Sequence, residues 1–222
     1  MKKIFILIGA TGNLGNDAVK YFAQKDYDKF YFVARNDFMV EASINDFVKI
    51  ICGDLSVESN VEEVFSKIAK EPEAEYYLFN TIGGFAGGYK IWETDYEVLN
   101  RMININLISA FLIAKHFANL VKNSKGGSIC FMSAESSFKY EIDKYAYGMT
   151  KNAVNYLIKS LAVEGKEINL TANGIAPFAI NTVENREWIN DYTKLVTTQN
   201  ICCKAYELLA GYPKISGEII PL

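Results

Sequence analysis

Two side chains that can do acid–base chemistry together stand four residues apart, the phenol of Tyr147 and the ammonium group of Lys151. The apolar spacing around them predicts a helix over residues 145–163, and on a helix residues four apart share one face. An ammonium group beside a phenol favours the phenolate, which lowers the tyrosine pKa from its ordinary value of about 10. We therefore expect Tyr147 to donate a proton near neutral pH, with Lys151 tuning it. Such pairs also occur by chance on helix surfaces, so the position in the fold decides their meaning.

A turn with three glycines near the start of the chain is suited to hold an anion. A continuous apolar run at residues 2–8 predicts a strand buried on both faces, and apolar residues at helical spacing follow the turn. Gly9 allows a tight exit from the strand, Gly12 or a neighbour lets the backbone approach a pyrophosphate, and Gly15 lets the helix pack closely on the sheet. A second apolar strand at residues 30–34 ends about twenty residues beyond the turn, the spacing of a dinucleotide-binding unit.

Strands and helices alternate along the rest of the chain. Apolar runs predict the strands, and longer segments with apolar residues at helical spacing predict the helices between them. The predicted strands span residues 2–8, 30–34, 47–52, 74–80, 127–132, 168–174 and 217–221, and the later helices span 92–121, 145–163, 184–196 and 199–210. This alternation predicts one α/β domain over residues 1–222, a Rossmann-type, doubly wound, seven-stranded parallel sheet in a three-layer αβα arrangement.

Ligands of such a sheet bind at the carboxyl ends of its strands. The loops that follow the strands therefore form one rim, at residues 9–15, 35–37, 53–55, 80–88, 133–137 and 177–182. The loop at 80–88 holds four glycines in six residues, which indicates backbone close to a ligand or a mobile loop. The helix predicted over 92–121 carries Asn106 on its inner side, where a buried polar group needs hydrogen-bond partners.

Composition and charge narrow the class of partner. The 222 residues are 50% hydrophobic and 22% charged, and their formal net charge is −3. A negative net charge argues against nucleic acid or an anionic membrane as the main partner, and it favours a small-molecule substrate. No uninterrupted apolar stretch reaches the roughly 18 residues of a membrane span. Four cysteines without Cys-x-x-Cys spacing indicate reduced thiols in a cytoplasmic protein. The single histidine, His116, excludes multi-histidine metal sites and argues against a Ser-His-Asp triad, so no metal is expected.

The chain resembles the short-chain dehydrogenase/reductase family in motifs spread over nearly its whole length. The resemblance rests on the turn from Gly9 to Gly15, Asp54 after the third strand, Asn80-Thr81-Ile82-Gly83 after the fourth, Asn106, Tyr147 with Lys151, and Pro177 to Thr182 for the motif Pro-Gly-x-Ile-x-Thr. Within the family, the Gly-x-x-Gly-x-x-Gly turn and the stretches 83–88 and 147–154 are most similar to dihydropteridine reductases. The resemblance implies hydride transfer from a nicotinamide cofactor to a small carbonyl, quinone or quinonoid pterin-like substrate.

The resemblance also implies roles for individual residues. Tyr147 passes a proton to the substrate as nicotinamide C4 delivers hydride, Lys151 holds the nicotinamide ribose, and Asn106 anchors a water that links Lys151 to solvent. Asp54 approaches the adenine, while Ile180 and Thr182 fix the carboxamide. The implied catalytic residues are Asn106, Ser133, Tyr147 and Lys151, and the implied cofactor-binding residues are Gly9, Thr11, Gly12, Asn13, Leu14, Gly15, Arg35, Asn36, Asp54, Leu55, Asn80, Thr81, Gly83, Tyr147, Lys151, Pro177, Ile180 and Thr182. The family also implies a homodimer or homotetramer, in which the helices 92–121 and 145–163 pair with their copies.

Some positions depart from the family pattern. The usual active-site serine stands thirteen residues before the tyrosine, and Ala134 occupies that position, so Ser133, Ser136 or no serine completes the site. Phe178 replaces the usual glycine after the proline, and Asn13 occupies a common glycine position in the turn. These departures keep a second interpretation open, a catalytically weak NADP-binding regulator or redox sensor. The presence of the tyrosine, the lysine and the buried asparagine together favours the enzyme.

The end of the second strand bears on the choice of cofactor. Ala34 fills the position where NAD-preferring members usually carry an acid, and Arg35 follows it. An arginine there can pair with a 2′-phosphate, so we expect NADP to be preferred, with NAD as the alternative. Asp37 could instead bind a ribose hydroxyl. It stands two residues after Arg35 in a polar turn, however, and is better explained as a solvated turn residue.

Overall fold

Seven parallel strands form one sheet in the part of the chain that this computed structural model describes, residues 1–40, 44, 46–211 and 213–222. The strands are β1 (Lys2–Ile8), β2 (Lys29–Ala34), β3 (Phe47–Ile51), β4 (Ala74–Asn80), β5 (Gly126–Met132), β6 (Leu170–Ala176) and, after the short strands β7 (Ala179–Ile180) and β8 (Leu195–Val196), β9 (Ile219–Pro221). Their order is β3-β2-β1-β4-β5-β6-β9, and every neighbouring pair is parallel. The predicted seven-stranded, doubly wound α/β sheet is confirmed.

The strand order reverses beside β1. From β1 the chain moves outward to β2 and β3, and then returns to β4 on the other side of β1. Loops that leave such a switch point in opposite directions open a crevice at the carboxyl ends of the strands. The two rim loops begin side by side, because the backbone N–H of Thr81 after β4 donates to the carbonyl of Ile8 at 3.0 Å.

Helices cover both faces of the sheet, and this explains the apolar run of β1. The helices are α1 (Asn13–Phe22), α2 (Glu58–Ser66), α3 (Tyr96–Met102), α4 (Ser109–Val121), α5 (Tyr145–Glu164), α6 (Val183–Trp188) and α7 (Thr198–Ala210). Ile4, Ile6 and Ile8 pack among side chains of α2, α4 and α5. Phe5 and Leu7 point the other way, among side chains of α1 and α7. All five are fully buried, so the predicted burial of this strand on both faces is confirmed.

The helix predicted over 92–121 is not continuous. A 3-10 turn at Ile91–Glu93 comes first, and α3 begins only at Tyr96. Between α3 and α4 the backbone follows a wider, π-helical path at Ile103–Ile108. A π-helical turn holds more residues than an α-helical one, and such turns are frequent at functional sites. Asn106 lies within this turn and is buried.

The long segment Tyr96–Val121, with a mean hydropathy of 1.3 over its most apolar window, is long and apolar enough to cross a membrane by length and composition. A helix in the core of an α/β fold can have the same length and hydropathy. Ile113 and Phe117 on this segment are fully buried and pack with side chains of β1 and β4. We therefore assign the segment to the helix layer that covers the sheet.

Several strand boundaries differ from the sequence predictions by one or two residues. The second and fifth strands begin one residue earlier than predicted, the third ends one residue earlier, and the sixth ends at Ala176 rather than at 174. The sixth strand begins at Leu170 rather than at 168, because residues 165–168 form a 3-10 turn that Asn169 ends in a left-handed conformation, with φ of 54°. The last strand begins at Ile219 rather than at 217. The polar connection expected between the second and third strands falls partly on residues 41–43 and 45, which lie outside the described residues.

The segment after β7 forms less helix than predicted. The helix expected over 184–196 spans only Val183–Trp188, and a 3-10 turn at Tyr192–Lys194 follows. The chain then pairs Leu195–Val196 with Ala179–Ile180 as a separate two-stranded sheet. This pairing between residues sixteen positions apart replaces the local helical hydrogen bonds that the sequence pattern suggested. The helix expected over 199–210 is present as α7.

Gly15 is a position where the fold leaves no space for a side chain. A Cβ there would lie 1.9 Å from the carbonyl oxygen of Gly9, inside the turn that joins β1 to α1, whereas a Cβ on Gly12 would lie 3.6 Å from the same oxygen. Gly15→Ala should therefore lower the free energy of unfolding by roughly 3 kcal/mol, and Gly12→Ala by less than about 1 kcal/mol. Urea denaturation of the two variants measures the difference. Equal losses would contradict the close approach of α1 to the turn.

Candidate active site

Tyr147 and Lys151 lie on the first two turns of α5, which begins just after the loop that leaves β5. That loop packs tightly on the helix, because a Cβ on Gly148 would lie 2.8 Å from the carbonyl oxygen of Ser136. From the other side, Phe85 of the glycine-rich loop meets Tyr147 edge to face, with ring centroids 5.1 Å apart and an interplanar angle of 76°. Phe85 is 61% exposed. The two rings therefore form an aromatic wall that is open to solvent on one side.

Lys151 is a buried cation. Only 3% of its surface is exposed, and its Nζ donates to the carbonyl oxygen of Met132 at 2.8 Å. The Nζ also lies 5.9 Å from the ring centroid of Tyr147. Gly83 leaves room for it, since a Cβ there would come within 2.9 Å of the Nζ. Burial disfavours the charged form and lowers the pKa of Lys151 to about 8.

The pKa of Tyr147 moves opposite to the sequence expectation. Burial raises the pKa of Tyr147 to about 12, and the carboxylate of Glu141 adds to the increase. The expectation of a pKa lowered by Lys151 is therefore wrong for this structure, because desolvation of the phenolate and the nearby carboxylate of Glu141 both favour the protonated phenol. The phenol consequently remains protonated at neutral pH and keeps a proton that it can donate.

Asn106 joins the π-helical turn to the glycine-rich loop and to α5. Its Oδ1 accepts from the backbone N–H of Gly84 at 2.9 Å, and its Nδ2 donates to the carbonyl of Gly84 at 3.0 Å and to the hydroxyl of Thr150 at 3.2 Å. The residue is 2% exposed, so these bonds satisfy the buried polar group that the sequence indicated. Its role as a water anchor remains a prediction, because the observed partners of its amide are protein groups.

Ser133 is directed away from the Tyr147 turn. Its hydroxyl donates to Oδ1 of Asn155 at 2.6 Å, and Nδ2 of Asn155 donates to the hydroxyl of Ser137 at 2.7 Å. Asn155 lies eight residues, or about two helical turns, beyond Tyr147 on α5. This network ties the loop after β5 to the helix, so the structure does not bring the Ser133 hydroxyl to the phenol. Ala134 is buried beside it and contributes no hydroxyl.

Ser136 is the other serine that the sequence left open, and its backbone packs against Gly148, the residue after the tyrosine. Its hydroxyl donates to the carboxylate of Glu141, which also pairs with Lys144 at 2.7 Å. Hydrogen bonds from these two groups hold the pKa of Glu141 below its ordinary value despite partial burial. Glu141 is therefore an anion near Tyr147, a neighbour that sequence spacing did not reveal because it comes from the loop before α5.

The glycine turn presents the amino terminus of α1 to solvent. Gly9 has φ of 93°, a left-handed conformation that favours glycine, and Gly12 occupies the N-cap position without a side-chain cap. The first turn of α1 contains no acidic side chain. Among the predicted cofactor-binding residues after Gly9, Thr11, Gly12 and Asn13 are exposed. Leu14 and Gly15 are buried. An uncapped helix terminus of this kind fits the diphosphate of a dinucleotide.

The remaining predicted cofactor residues follow β2 and β3 along the same rim. Arg35 and Asn36 are exposed directly after β2. Asp54 is exposed after β3, and its carboxylate accepts from the backbone N–H of Ser56 at 2.9 Å, whereas Leu55 is buried. These residues follow β2 and β3 on one side of the glycine turn, where the family resemblance implies the adenosine end of the cofactor.

The loop after β4 connects the glycine turn to Lys151. Asn80 is buried and its Oδ1 accepts from the backbone N–H of Ile82 at 3.1 Å, while the hydroxyl of Thr81 donates to the carbonyl of Ile8 at 2.8 Å. Gly83, two residues further, packs against the lysine Nζ. The structure thus links the predicted phosphate-binding turn and the Tyr147 region through one short segment.

The motif after β6 leads into the segment that crosses the rim. The carbonyl of Pro177 accepts from the backbone N–H of Glu135 at 3.0 Å, so this motif is anchored to the loop after β5. Ile180 lies in β7, and the hydroxyl of Thr182 accepts from the backbone N–H of Asn185 at 3.2 Å as the N-cap of α6. The structure therefore uses the threonine hydroxyl as a helix cap, and its predicted contact with the carboxamide remains a prediction.

Comparison with known proteins identifies relatives over most of the chain. A family model described as short chain dehydrogenase matches residues 3–193. Dihydropteridine reductase of Dictyostelium discoideum is 29% identical over 193 residues, which cover 86% of this chain and 80% of that protein. Carbonyl reductase family member 4 of Xenopus laevis is 27% identical over 185 residues, which cover 82% of this chain and 77% of that protein.

Solved structures reproduce the same fold. The structure of ElxO with NADP bound is similar to this chain with a TM-score of 0.88 at 23% identity, covering 100% of this chain and 97% of that one. A tyrosine-to-phenylalanine variant of ElxO with NADPH bound has a TM-score of 0.87 at 22% identity, with the same coverage. At these identities the similarity establishes the architecture.

Burial of Lys151 should make the stability of the protein depend on pH. Its pKa is about 8 in the folded state against 10.5 ordinarily, so between these values the unfolded chain binds more protons and stability rises with pH. At pH 7, Lys151→Met should raise the free energy of unfolding by about 1–3 kcal/mol after loss of the hydrogen bond to Met132. This advantage should shrink as the pH rises from 8 towards 10.5.

Urea denaturation at several pH values measures the effect. Lys159→Met, on an exposed position of the same helix, is the control and should show no pH-dependent difference from the wild type. A Lys151→Met variant that is less stable than the wild type at pH 7 would contradict a net penalty from the buried ammonium.

Proposed function

The chain belongs to the short chain dehydrogenase family and is an NAD(P)-dependent oxidoreductase, and we propose that it reduces a small carbonyl, quinone or quinonoid pterin-like substrate. The observation that carries the proposal is the convergence of three predicted residues at one rim. Lys151 packs against Gly83, Asn106 bonds to Gly84, and Tyr147 stands one turn before the lysine on α5. The loop that they share begins beside the glycine turn, where a dinucleotide belongs.

Tyr147 is the proposed proton donor. A pKa of about 12 keeps its phenol protonated at neutral pH, and it needs a neighbouring cation to stabilise the phenolate that forms when the proton leaves. Lys151 is the cation next along that helix face, and its position beside Gly83 also suits it to hold a ribose at the rim. A bound nicotinamide would supply the hydride. The protein would then supply the proton, the orientation of the ring and the exclusion of water.

Two observations support a planar, conjugated substrate. Phe85 presents an exposed ring beside Tyr147, and such a surface suits stacking with a flat ring system. Ala134 provides no hydroxyl to hold the oxygen of an ordinary ketone. The similarity to a dihydropteridine reductase, at 29% identity, points in the same direction.

The second candidate function is that of a catalytically weak NADP-binding regulator or redox sensor. Ala134 and the engagement of Ser133 with Asn155 favour it, because the first has no hydroxyl and the hydroxyl of the second is bonded to another side chain. Incubation of the purified protein with NADPH and a panel of carbonyls, quinones and quinonoid pterins separates the two functions. Turnover of any of these compounds supports the enzyme, whereas cofactor binding without turnover supports the sensor.

We propose NADP as the preferred cofactor, with NAD as the alternative. Arg35 is exposed at the end of β2 and is available to a 2′-phosphate, while Ala34 before it offers no acid to a ribose hydroxyl. Asp37 is engaged elsewhere, because its carboxylate accepts from Nζ of Lys49 at 2.6 Å, which holds the pKa of Asp37 below its ordinary value. This contact supports its assignment as a turn residue.

We also propose a cytoplasmic homodimer or homotetramer. Four free cysteines, at residues 52, 130, 202 and 203, support a reducing compartment. Exposed apolar side chains on α4 and α5, which include Phe111, Tyr156 and Val163, support pairing of these helices with a second copy. No nucleic-acid or membrane partner is part of this proposal.

Tyr147→Phe tests the proposed chemistry. The change keeps the ring packed against Phe85 and removes only the transferable proton, so turnover should fall by about 10²–10⁴-fold while the dissociation constant for NADPH stays nearly unchanged. Steady-state kinetics and a binding titration measure the two quantities. Tyr156→Phe, exposed on the same helix, is the control and should leave turnover intact. Full turnover of Tyr147→Phe on a genuine substrate would refute the assignment.

Arg35→Ala tests the choice of cofactor. Loss of a charged hydrogen bond to the 2′-phosphate should weaken NADPH binding by roughly 1.5–3 kcal/mol, and NADH, which lacks that phosphate, should bind almost as before. Calorimetric titration with each cofactor gives the two dissociation constants. Arg101→Ala removes another exposed arginine, on α3, and serves as the control. Equal losses for the two cofactors in Arg35→Ala would remove the basis for the preference.

A further inference from the structure

One segment of the chain is joined to the start of α1 by side-chain hydrogen bonds. This cover segment, residues 182–197, leaves the motif after β6, forms α6 and β8, and leads into α7. Near its beginning, Nδ2 of Asn13 donates to Oε2 of Glu184 at 3.0 Å. Just beyond its end, the hydroxyl of Thr198 donates to Oδ2 of Asp17 at 2.6 Å. Both hydrogen bonds join the cover segment and its continuation to the first turns of α1.

The Asn13 contact brings a carboxylate to the positive end of a helix. Asn13 is the first residue of α1, whose N-cap position has no side-chain cap and whose first turn has no acid of its own. The partial positive charge of the helix terminus favours an anion there. The backbone N–H of Glu184, the Thr182 hydroxyl and the Asn13 amide all hold the pKa of Glu184 below its ordinary value. Glu184 is therefore an anion at neutral pH.

A bound dinucleotide would bring a second anion to the same helix terminus. Its diphosphate belongs at the glycine turn and the amino terminus of α1, which attract it for the same electrostatic reason. A carboxylate within hydrogen-bond distance of Asn13 and a diphosphate at that terminus repel each other, because both are negative. The two anions therefore compete for one helix terminus.

We propose that Glu184 is a gate for the cofactor: in the cofactor-free protein its carboxylate takes the anion position at the start of α1, tethered by Asn13, and the diphosphate must displace it. The inference rests on the proposed function, because it assumes that the dinucleotide binds at the glycine turn. Asn13 occupies a position where the family commonly has glycine, and a glycine would offer no amide to hold Glu184. Gate and tether are therefore both features of this chain.

The cover segment is built to move. α6 buries none of its residues, so few apolar contacts oppose its displacement. Its side-chain hydrogen bond to α1, between Glu184 and Asn13, joins exposed groups and opens readily in water. If the carboxylate occupies the anion position nine-tenths of the time, the apparent dissociation constant for the cofactor is raised about tenfold.

The test removes the charge and keeps the shape. Glu184→Gln should tighten NADPH and NADH by similar factors, about five- to twentyfold, since the diphosphate is common to both cofactors. Glu187→Gln, which removes the same charge from an exposed position of the same short helix, is the matched control and should change neither dissociation constant more than about twofold. Calorimetric titration gives the constants without any need for turnover.

Hydrogen exchange of the cofactor-free protein tests the tether separately. Asn13→Ala removes the amide that holds Glu184, so the backbone amides of residues 183–188 should exchange faster than in the wild type. Exchange in Glu187→Gln should match the wild type. Unchanged exchange in Asn13→Ala would overturn the tether.

The outcomes of the titration distinguish the inference from the proposed function. If the wild type binds NADPH but Glu184→Gln binds it no more tightly than Glu187→Gln does, the gate is wrong and the proposed function stands. If Glu184→Gln binds the cofactors more weakly, the carboxylate helps to hold the cofactor and the gate is again wrong. If neither cofactor binds the wild type or any variant, the proposed function fails and the gate fails with it.

Discussion

A single buried amide holds the candidate site together. Asn106 makes hydrogen bonds to the glycine-rich loop and to α5 from a turn of helix that is wound more widely than an α-helix. A buried polar group left without partners would cost roughly 1–3 kcal/mol, so the loop and the helix are constrained to stay where they satisfy this amide. The π-helical turn, the position of Gly84 and the orientation of Thr150 are therefore parts of one arrangement. Tyr147 and Lys151 take their places relative to the rim from it.

Within that arrangement, burial sets the protonation states more than the neighbouring charges do. Desolvation raises the pKa of Tyr147 to about 12 and lowers the pKa of Lys151 to about 8. Each shift favours the neutral form, as expected for groups withdrawn from water. The phenol thereby retains its proton, and the ammonium group remains close to the range in which it can exchange one. Such a buried cation destabilises the fold, which is typical of residues kept for chemistry rather than for packing.

The rim shows how the same electrostatic feature can serve two anions. An uncapped helix terminus at the glycine turn attracts negative charge whatever its source. In this chain a negative group at that terminus is Glu184. The segment that carries it is anchored by the pairing of β7 with β8, and its helix α6 has no buried residue. The strand pairing holds the segment near the rim, and the lack of buried residues in α6 allows this part of it to move away from α1.

The sequence alone determined the fold class and the approximate elements. Apolar runs and helical spacing identified β1, α1 and α5, because the face that a side chain shares with its neighbours is a local property. Motif spacing likewise identified the Tyr147 and Lys151 pair. The glycine turn was recognisable because its three glycines stand between an apolar run and a helical pattern, and the structure adds the reason at Gly15, where a Cβ would lie 1.9 Å from a carbonyl oxygen.

The tertiary structure decided what those residues are able to do. It turned Ser133 towards Asn155, reversed the expected pKa shift of Tyr147, widened the helix at Asn106 and shortened the helix after Thr182. It also brought Asn13 and Glu184 together across 171 positions of sequence. The physical reason is the same in each case. Burial and hydrogen-bond partners depend on which distant segments pack together. The periodicity of apolar residues along one segment does not identify those distant segments.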